Sequence, residues 1–211
     1  MSAVEMNVQF LPPRIQCFGT QQLFHDFHTR ISAGQITAVL GPNGSGKSTL
    51  LRLAARLLAP EQGKVQISEE HTLLDTEAYA LRRAMLTPEL SFYAQLTARE
   101  NLQFIAKLRN KILHPEACTN LLEQVGLSDT TTMVQGFSTG MRQRLKLAVL
   151  LAVDADVWLL DEPGMNLDKD GVKLLHAEIQ RAARQHKLIL LATNDHQEEA
   201  MADAYIHLPG H

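Results

Sequence analysis

Residues 36–49 read ITAVL-GPNGSGKST. The first five are apolar and largely β-branched, the pattern of a short buried strand, and they stop at Gly41. The next nine satisfy G-x-x-x-x-G-K-[ST], and an apolar helical period starts at Lys47. A strand that must pass through a glycine-rich loop directly into a helix has few arrangements open to it. The loop's N–H groups converge on one point, and the helix N-terminus directs its field at the same point. Such a point suits a phosphate. A glycine turn that only joins strand to helix is the plainer reading. The four fixed positions, however, match by chance in fewer than roughly one chain in a hundred. Residues 41–49 are therefore read as a phosphate cradle. Lys47 reaches the β- and γ-phosphates, Ser48 is a Mg²⁺ ligand and Thr49 is a further phosphate contact.

The rest of the chain supports an α/β arrangement. Leu50, Leu51, Leu53, Ala54, Leu57 and Leu58 form a wide apolar face on a helix expected over 47–58, which Pro60 and Gly63 end. Short strands are expected at 65–67, 157–160 and 188–192, with a helix over 170–185 before the last of them. This alternation at both ends implies a parallel sheet. Residues from about 81 to 127 change character: 96–113 and 115–127 read as successive amphipathic helices, and the middle is a candidate helical insertion.

Composition narrows the function. Hydrophobic residues are 45% and charged residues 20% of the 211, which is globular and not disordered. Lys and Arg number 20 against 23 Asp and Glu, a net charge of −3, so no basic surplus marks a nucleic-acid binder. The longest apolar stretch, 145–160, is interrupted by Lys146, Asp154 and Asp156, and falls short of a membrane span. The start carries Glu5 and no cationic run, so no signal peptide is expected. Cys17 and Cys118 form no CxxC, and a reducing, cytoplasmic setting follows. His25 and His28 are three apart with no convincing partners, and are read as exposed rather than metal-binding.

Residues 156–163, DVWLLDEP, end an apolar strand in an acidic pair. In a doubly wound sheet, strand C-termini face the ligand crevice. There Asp161 can hold Mg²⁺ and Glu162 can orient and activate a water. A helix-capping Asp-Glu pair is the bland alternative, and its place after a buried strand, downstream of the phosphate loop, argues against it. Trp158 is read as core. A third element, Phe137-Ser138-Thr139-Gly140-Met141-Arg142-Gln143-Arg144-Leu145, opens a helix. Ser138 can cap that helix, and Gly140 lets backbone approach an anion.

This third element resembles the LSGGQ signature of ATP-binding cassette (ABC) proteins, and it lies 23 residues before Asp161 (161 − 138). The three motifs stand in that family's order, and the resemblance covers nearly all of the chain. It implies a P-loop NTPase fold: a RecA-like α/β core with an ABC-type β subdomain and an inserted α-helical subdomain. The core would be 1–80 and 145–211, and the helical part about 81–144. It implies ATP and Mg²⁺, a second ABC subunit as partner, and a separate multi-span permease. It places the chain peripherally on the cytoplasmic face of a membrane. Each ATP would lie between Gly41, Pro42, Asn43, Gly44, Ser45, Gly46, Lys47, Ser48 and Thr49 of one subunit and Ser138, Thr139, Gly140 and Met141 of the other. Phe18 occupies the adenine-stacking position, where a flat ring suits a purine, with a core Phe as the equal alternative. Asn166-Leu167-Asp168 resembles the D-loop, and Leu96-Thr97-Ala98-Arg99-Glu100-Asn101-Leu102 the segment that follows the Q-loop.

The sequence also departs from the family. Thr139 and Met141 replace a Gly and the Gln of the signature, as in an S-x-G-M-[RK]-Q branch of export-type ATPases. Pro88 stands at the Q-loop Gln, and neighbouring Glu89 is read as a further Mg²⁺ ligand. Asn194, in Leu191-Ala192-Thr193-Asn194-Asp195, stands at the switch His. An amide can donate to a phosphate oxygen but cannot become cationic, so slow hydrolysis is expected. His196 is expected to point elsewhere.

The leading expectation is an ATP-hydrolysing transporter subunit that dimerises on ATP, with export favoured by the short chain. A small haem-exporter type fits by size, though its switch His and signature fit less well. The permease would dock on the helical part, with Phe92 and Tyr93 as candidate contacts. The alternatives are a non-transport ABC ATPase regulating a membrane complex, or a slow ATP-dependent switch.

Overall fold

The computed structural model describes residues 4–9, 17–18, 21–22, 27–60, 64–70, 72–127 and 131–209. In chain order the first elements are β1 (Val4–Gln9), β2 (Cys17–Phe18), β3 (Gln21–Gln22), β4 (His28–Ser32) and β5 (Ile36–Leu40). Then come α1 (Lys47–Ala54), β6 (Lys64–Glu69), β7 (Thr72–Leu73), α2 (Thr76–Arg82) and β8 (Arg83–Leu86). The helices α3 (Ala98–Leu108), α4 (Pro115–Gln124) and α5 (Thr139–Val153) follow. The chain ends in β9 (Val157–Asp161), α6 (Lys169–Arg184), β10 (Leu188–Ala192), α7 (His196–Glu199) and β11 (Ala204–His207). They form two compact units: Met1–Met85, Asp156–Glu162 and Ile179–His211 in one, Leu86–Ala155 and Pro163–Glu178 in the other.

The first unit carries a β4-β1-β6-β7 sheet and a β11-β5-β10-β9-β8 sheet. The pairs of the former are antiparallel. In the latter, β5, β9, β10 and β11 run parallel. Every residue of β9 and β10 is buried, as expected of parallel strands covered on both faces. Register sets Asp161 beside Ala192 and Ala192 beside Val39. The C-terminal ends of β5, β9 and β10 thus lie in a row, which is what assembles the site. Leu50, Leu51 and Leu53 of α1 have no exposure and pack with Val39, Val157, Leu159, Leu188 and Leu190. Each such leucine contributes about 1.5–3 kcal/mol by leaving water.

The helix expected over 47–58 ends at Ala54. Arg56 turns left-handed (φ 53°), and the Leu57 and Leu58 amides both donate to Arg52 O. The freed carbonyls find side chains far along the chain: Tyr79 Oη donates to Ala54 O at 2.8 Å and Arg83 Nε to Ala55 O. Apolar periodicity overran the end because those partners are not local. Burial raises the Tyr79 phenol well above its ordinary value, against the pull of the flanking Arg83 and Arg56 guanidiniums.

The helices expected over 96–113 and 115–127 form as α3 and α4, each ending earlier. Residues 83–86 form β8, with Ala84 and Leu86 buried in alternation, and helix resumes only at Ala98. Pro88 lacks an N–H and disfavours helix before it. Thr97 then starts α3 through a capping box with Glu100. Asn101, fully buried, holds the preceding loop: Tyr93 N donates to its Oδ1 at 2.9 Å, and its Nδ2 donates to Tyr93 O and Thr97 O.

Candidate active site

Residues 41–46 form a glycine-rich loop between β5 and α1. Gly41 (φ 153°), Gly44 (φ 85°) and Gly46 (φ 96°) adopt backbone that disfavours side chains. A Cβ on Gly41 would come within 2.7 Å of Leu208 O. Helix α1 follows Gly46 at its N-cap, with no side-chain cap and no acidic residue in its first turn. Its leading donors are the orphan groups a phosphate satisfies. Ser45 Oγ is buried without a partner in the same loop. These features fit a nucleotide phosphate chain.

Lys47 is 7% exposed. Its ammonium donates to Gly41 O (2.7 Å), Pro42 O (3.3 Å) and Asn194 Oδ1 (3.1 Å). Asn194 follows β10, and its Nδ2 donates to Asn43 Oδ1 (2.8 Å) and Glu162 Oε1 (2.9 Å). The amide's orientation is fixed by its neighbours, because an ammonium cannot accept and a carboxylate cannot donate. One side chain therefore joins the phosphate loop, the lysine and the acidic residue. Sequence reading placed Asn194 near phosphate but missed this bridge, whose only sequence signal is an amide where a ring is expected.

Asp161 is the last residue of β9 and is 2% exposed. Glu162 is half-buried and left-handed (φ 47°), while its N–H still donates to Ala192 O. That conformation costs a non-glycine residue roughly 1–2 kcal/mol, and it turns the carboxylate out of strand alternation toward Asn194. Burial raises the Glu162 carboxyl above its ordinary value. The hydrogen bond from Asn194 and the charge of Lys47 oppose this, and Asp161 and Asp195 add to it. A carboxylate raised in this way is a stronger base. His196 lies exposed beside Glu199, away from this network.

The second unit holds the other motifs. Ser138 Oγ accepts from Met141 N (3.2 Å) and caps α5, in which Thr139 and Gly140 are the first residues. Asp168 Oδ1 accepts from Arg144 Nη2 (2.6 Å) and Gly171 N (2.8 Å). The Arg144 bond, and then that amide, hold its carboxyl below the usual range. Pro88 and Glu89 are exposed on a turn closed by Leu90 N donating to Thr87 O. Lys146, 7% exposed, donates to Thr87 O (2.9 Å) and Pro88 O (2.7 Å). Burial lowers its pKa, and the charge of Glu89 acts the other way. Lys146 went unassigned in the sequence, where its signal was a charge inside an apolar run.

Trp158 is buried, with the Lys187 ammonium over its ring. Phe92 is half-buried and Tyr93 exposed, edge-on to Phe104. Phe18 pairs with Gln21 between β2 and β3, and its side chain lies outside the described residues, as does His25. Among the described residues no helix is long and apolar enough to cross a membrane.

A strand–glycine loop–helix cradle beside an acidic strand end defines a P-loop nucleotide-binding ATPase. Residues 24–165 match the ABC transporter family, and the chain belongs to it. The ABC transporter ATP-binding protein NatA of Bacillus subtilis is 33% identical over 86% of this chain and 76% of its own. The cytochrome c biogenesis ATP-binding export protein CcmA of Xylella fastidiosa is 40% identical over 71% of this chain, which spans 66% of that relative. A solved ATP-binding cassette, a dimer in a post-hydrolysis state with ADP and Pi, superimposes with a TM-score of 0.80. It is 19% identical, covering 97% of this chain and 94% of that one, and shares the fold.

Proposed function

We propose that this chain is the ATPase subunit of an export-type ABC transporter, and that it hydrolyses ATP slowly. The observation that carries the proposal is the Lys47–Asn194–Glu162 bridge beside the uncapped α1. Lys47 exchanges Asn194 for the β- and γ-phosphate oxygens when ATP enters. Glu162, its base strength raised by burial, takes the proton of an attacking water. The donor of Asn194 then turns to the γ-phosphate oxygen, but an amide adds no positive charge as negative charge develops.

Ser48 and Asp161 would hold Mg²⁺. Two oxygen ligands leave room for phosphate oxygens and water, as Mg²⁺ prefers. Bound there, the ion neutralises charge on the phosphates. A role for Glu89 in holding it is discarded if Glu89→Ala leaves the Mg²⁺ dependence unchanged.

Two copies, or this chain and a homologous subunit, would close on ATP, with Ser138, Thr139, Gly140 and Met141 capping the phosphate held by the partner. Asp168 would act in the same interface, and Phe18 would stack on adenine. A separate permease would engage the helical unit, where Phe92 and Tyr93 are candidate contacts, on the cytoplasmic face of a membrane. The name of CcmA supports export. The second reading, a switch with little turnover, is favoured by Asn194 in place of a titratable ring.

Two measurements test these readings. Phosphate release by the parent should exceed that of Glu162→Gln by about 10²–10⁴-fold. Equal rates would favour the switch. Affinity purification from membranes should bring down a multi-span protein, and its absence would count against transport.

A further inference from the structure

Helix α5 begins at the Ser138 cap, and three successive polar positions on it each hold backbone from elsewhere in the same unit. Gln143, buried, donates to Pro163 O at 2.7 Å. Arg144 donates to Val125 O and to Asp168. Lys146 donates to both Thr87 O and Pro88 O. The segments held in this way include those that leave β8 (87–88) and β9 (163–168). A lysine is almost never buried unless it is partnered, and a leucine or alanine would suit the apolar surroundings at far lower desolvation cost. Its neighbours on α5, Leu145, Leu147, Ala148 and Val149, are all buried hydrophobics. A buried ammonium on two adjacent carbonyls is thus a specific anchor rather than a solubilising charge.

We propose that Lys146 is a positioning residue for ATP turnover. Its ammonium fixes the 87–90 turn to the helix that carries Ser138 and Gly140, so that turn and signature move as one body. The proposal rests on the hydrolytic reading above. The turn has no side-chain amide of its own at position 88, where proline stands, so its orientation is set through its backbone. The two carbonyls point at Lys146, which leaves the Pro88–Glu89 tip outward and held. Loosening that anchor should leave nucleotide affinity alone, because the phosphate loop lies in the other unit. It should lower the rate at which bound ATP is turned over.

The test compares the parent, Lys146→Met, Lys146→Arg and Glu162→Gln in one phosphate-release assay, with ATP-analogue binding and thermal melting measured alongside. Lys146→Met should lower kcat roughly tenfold, the size of effect typical of a coupling residue, with KM for ATP and analogue affinity within about twofold. Lys146→Arg, which keeps the charge and at least two donors, should recover most of that loss. A Lys146→Met variant that melts earlier but turns over at the parent rate overturns the proposal. So does a parallel loss of kcat and analogue binding that Arg does not restore. Should the Met variant fail to fold, Lys146→Gln replaces it, and a rate equal to the parent again overturns the proposal. Equal rates for parent and Glu162→Gln overturn the hydrolytic reading and this proposal with it. A parent faster than Glu162→Gln but equal to Lys146→Met overturns this proposal alone.

Discussion

Two lysines in this protein do the same thing in different places. Lys47 places its ammonium on Gly41 O and Pro42 O, and Lys146 places its own on Thr87 O and Pro88 O. Each pair of carbonyls spans an X-Pro bond, and each lysine is 7% exposed. The third partner separates them. Lys47 also meets Asn194, a side chain on another strand end that is itself shared with Glu162 and Asn43. Lys146 has the charge of exposed Glu89 beyond its two carbonyls. A lysine whose partners include a movable side chain can trade them for phosphate. A lysine held by backbone within one compact unit is a fixture. On the roles proposed above, the same contact would serve chemistry in one unit and geometry in the other.

Substitution should separate the two most sharply. Lys47→Met should lower turnover by about 10²–10³-fold, since it removes a donor aimed at transition-state charge. That exceeds the loss expected for Lys146→Met. Equal losses would erase the distinction between reacting and positioning lysines. Nucleotide binding should weaken only in the Lys47 variant.

The next effect concerns pH. As the proposed base, Glu162 would work deprotonated, so its contribution to rate would be present above its pKa and lost as pH falls through it. Because burial raises that pKa, the acid limb should lie above the ordinary carboxylate range. The parent should show no imidazole inflection from position 194. Asn194→His should add one, near an imidazole value of about 6.5 unless the site shifts it, and should raise the rate by about tenfold through a charge-assisted bond. A variant no faster than the parent would mean that the amide does not limit turnover.

The smallest effect lies outside both anchors. Tyr79→Phe leaves Ala54 O, at the end of the helix that carries Lys47, without its hydroxyl partner. Denaturant unfolding should show a loss of about 1 kcal/mol. Turnover at saturating ATP should stay near the parent rate. A large fall would show that the far end of α1 matters to the loop at its start.

Much of the site was legible because it is local. Gly41, Gly46, Lys47 and Ser48 form one continuous strand–loop–helix whose backbone requirements dictate its residues, and β5 spans 36–40 as its β-branched run implies. Asp161 and Glu162 follow from a buried strand's end, and Ser138 from a capping position on α5. The polar interruptions of the 145–160 run were also visible, but only as obstacles to a membrane span. Two of them are used by distant partners: Lys146 by the 87–88 carbonyls and Asp156 by Arg82.

By itself, then, the sequence determined the strand–glycine loop–helix at 36–54, the buried strands at 157–160 and 188–192, the acidic pair and the absence of a ring at position 194. Those depend on backbone geometry and on residues a few positions apart. Tertiary structure decided where α1 stops, that 83–86 is a strand, and what Lys47, Lys146 and Asn194 touch. Each of these depends on which buried carbonyl or carboxylate another segment leaves in need of a donor. The sheet register, which sets Asp161 beside Ala192 and so carries Asn194 to Glu162, is the physical link between the two.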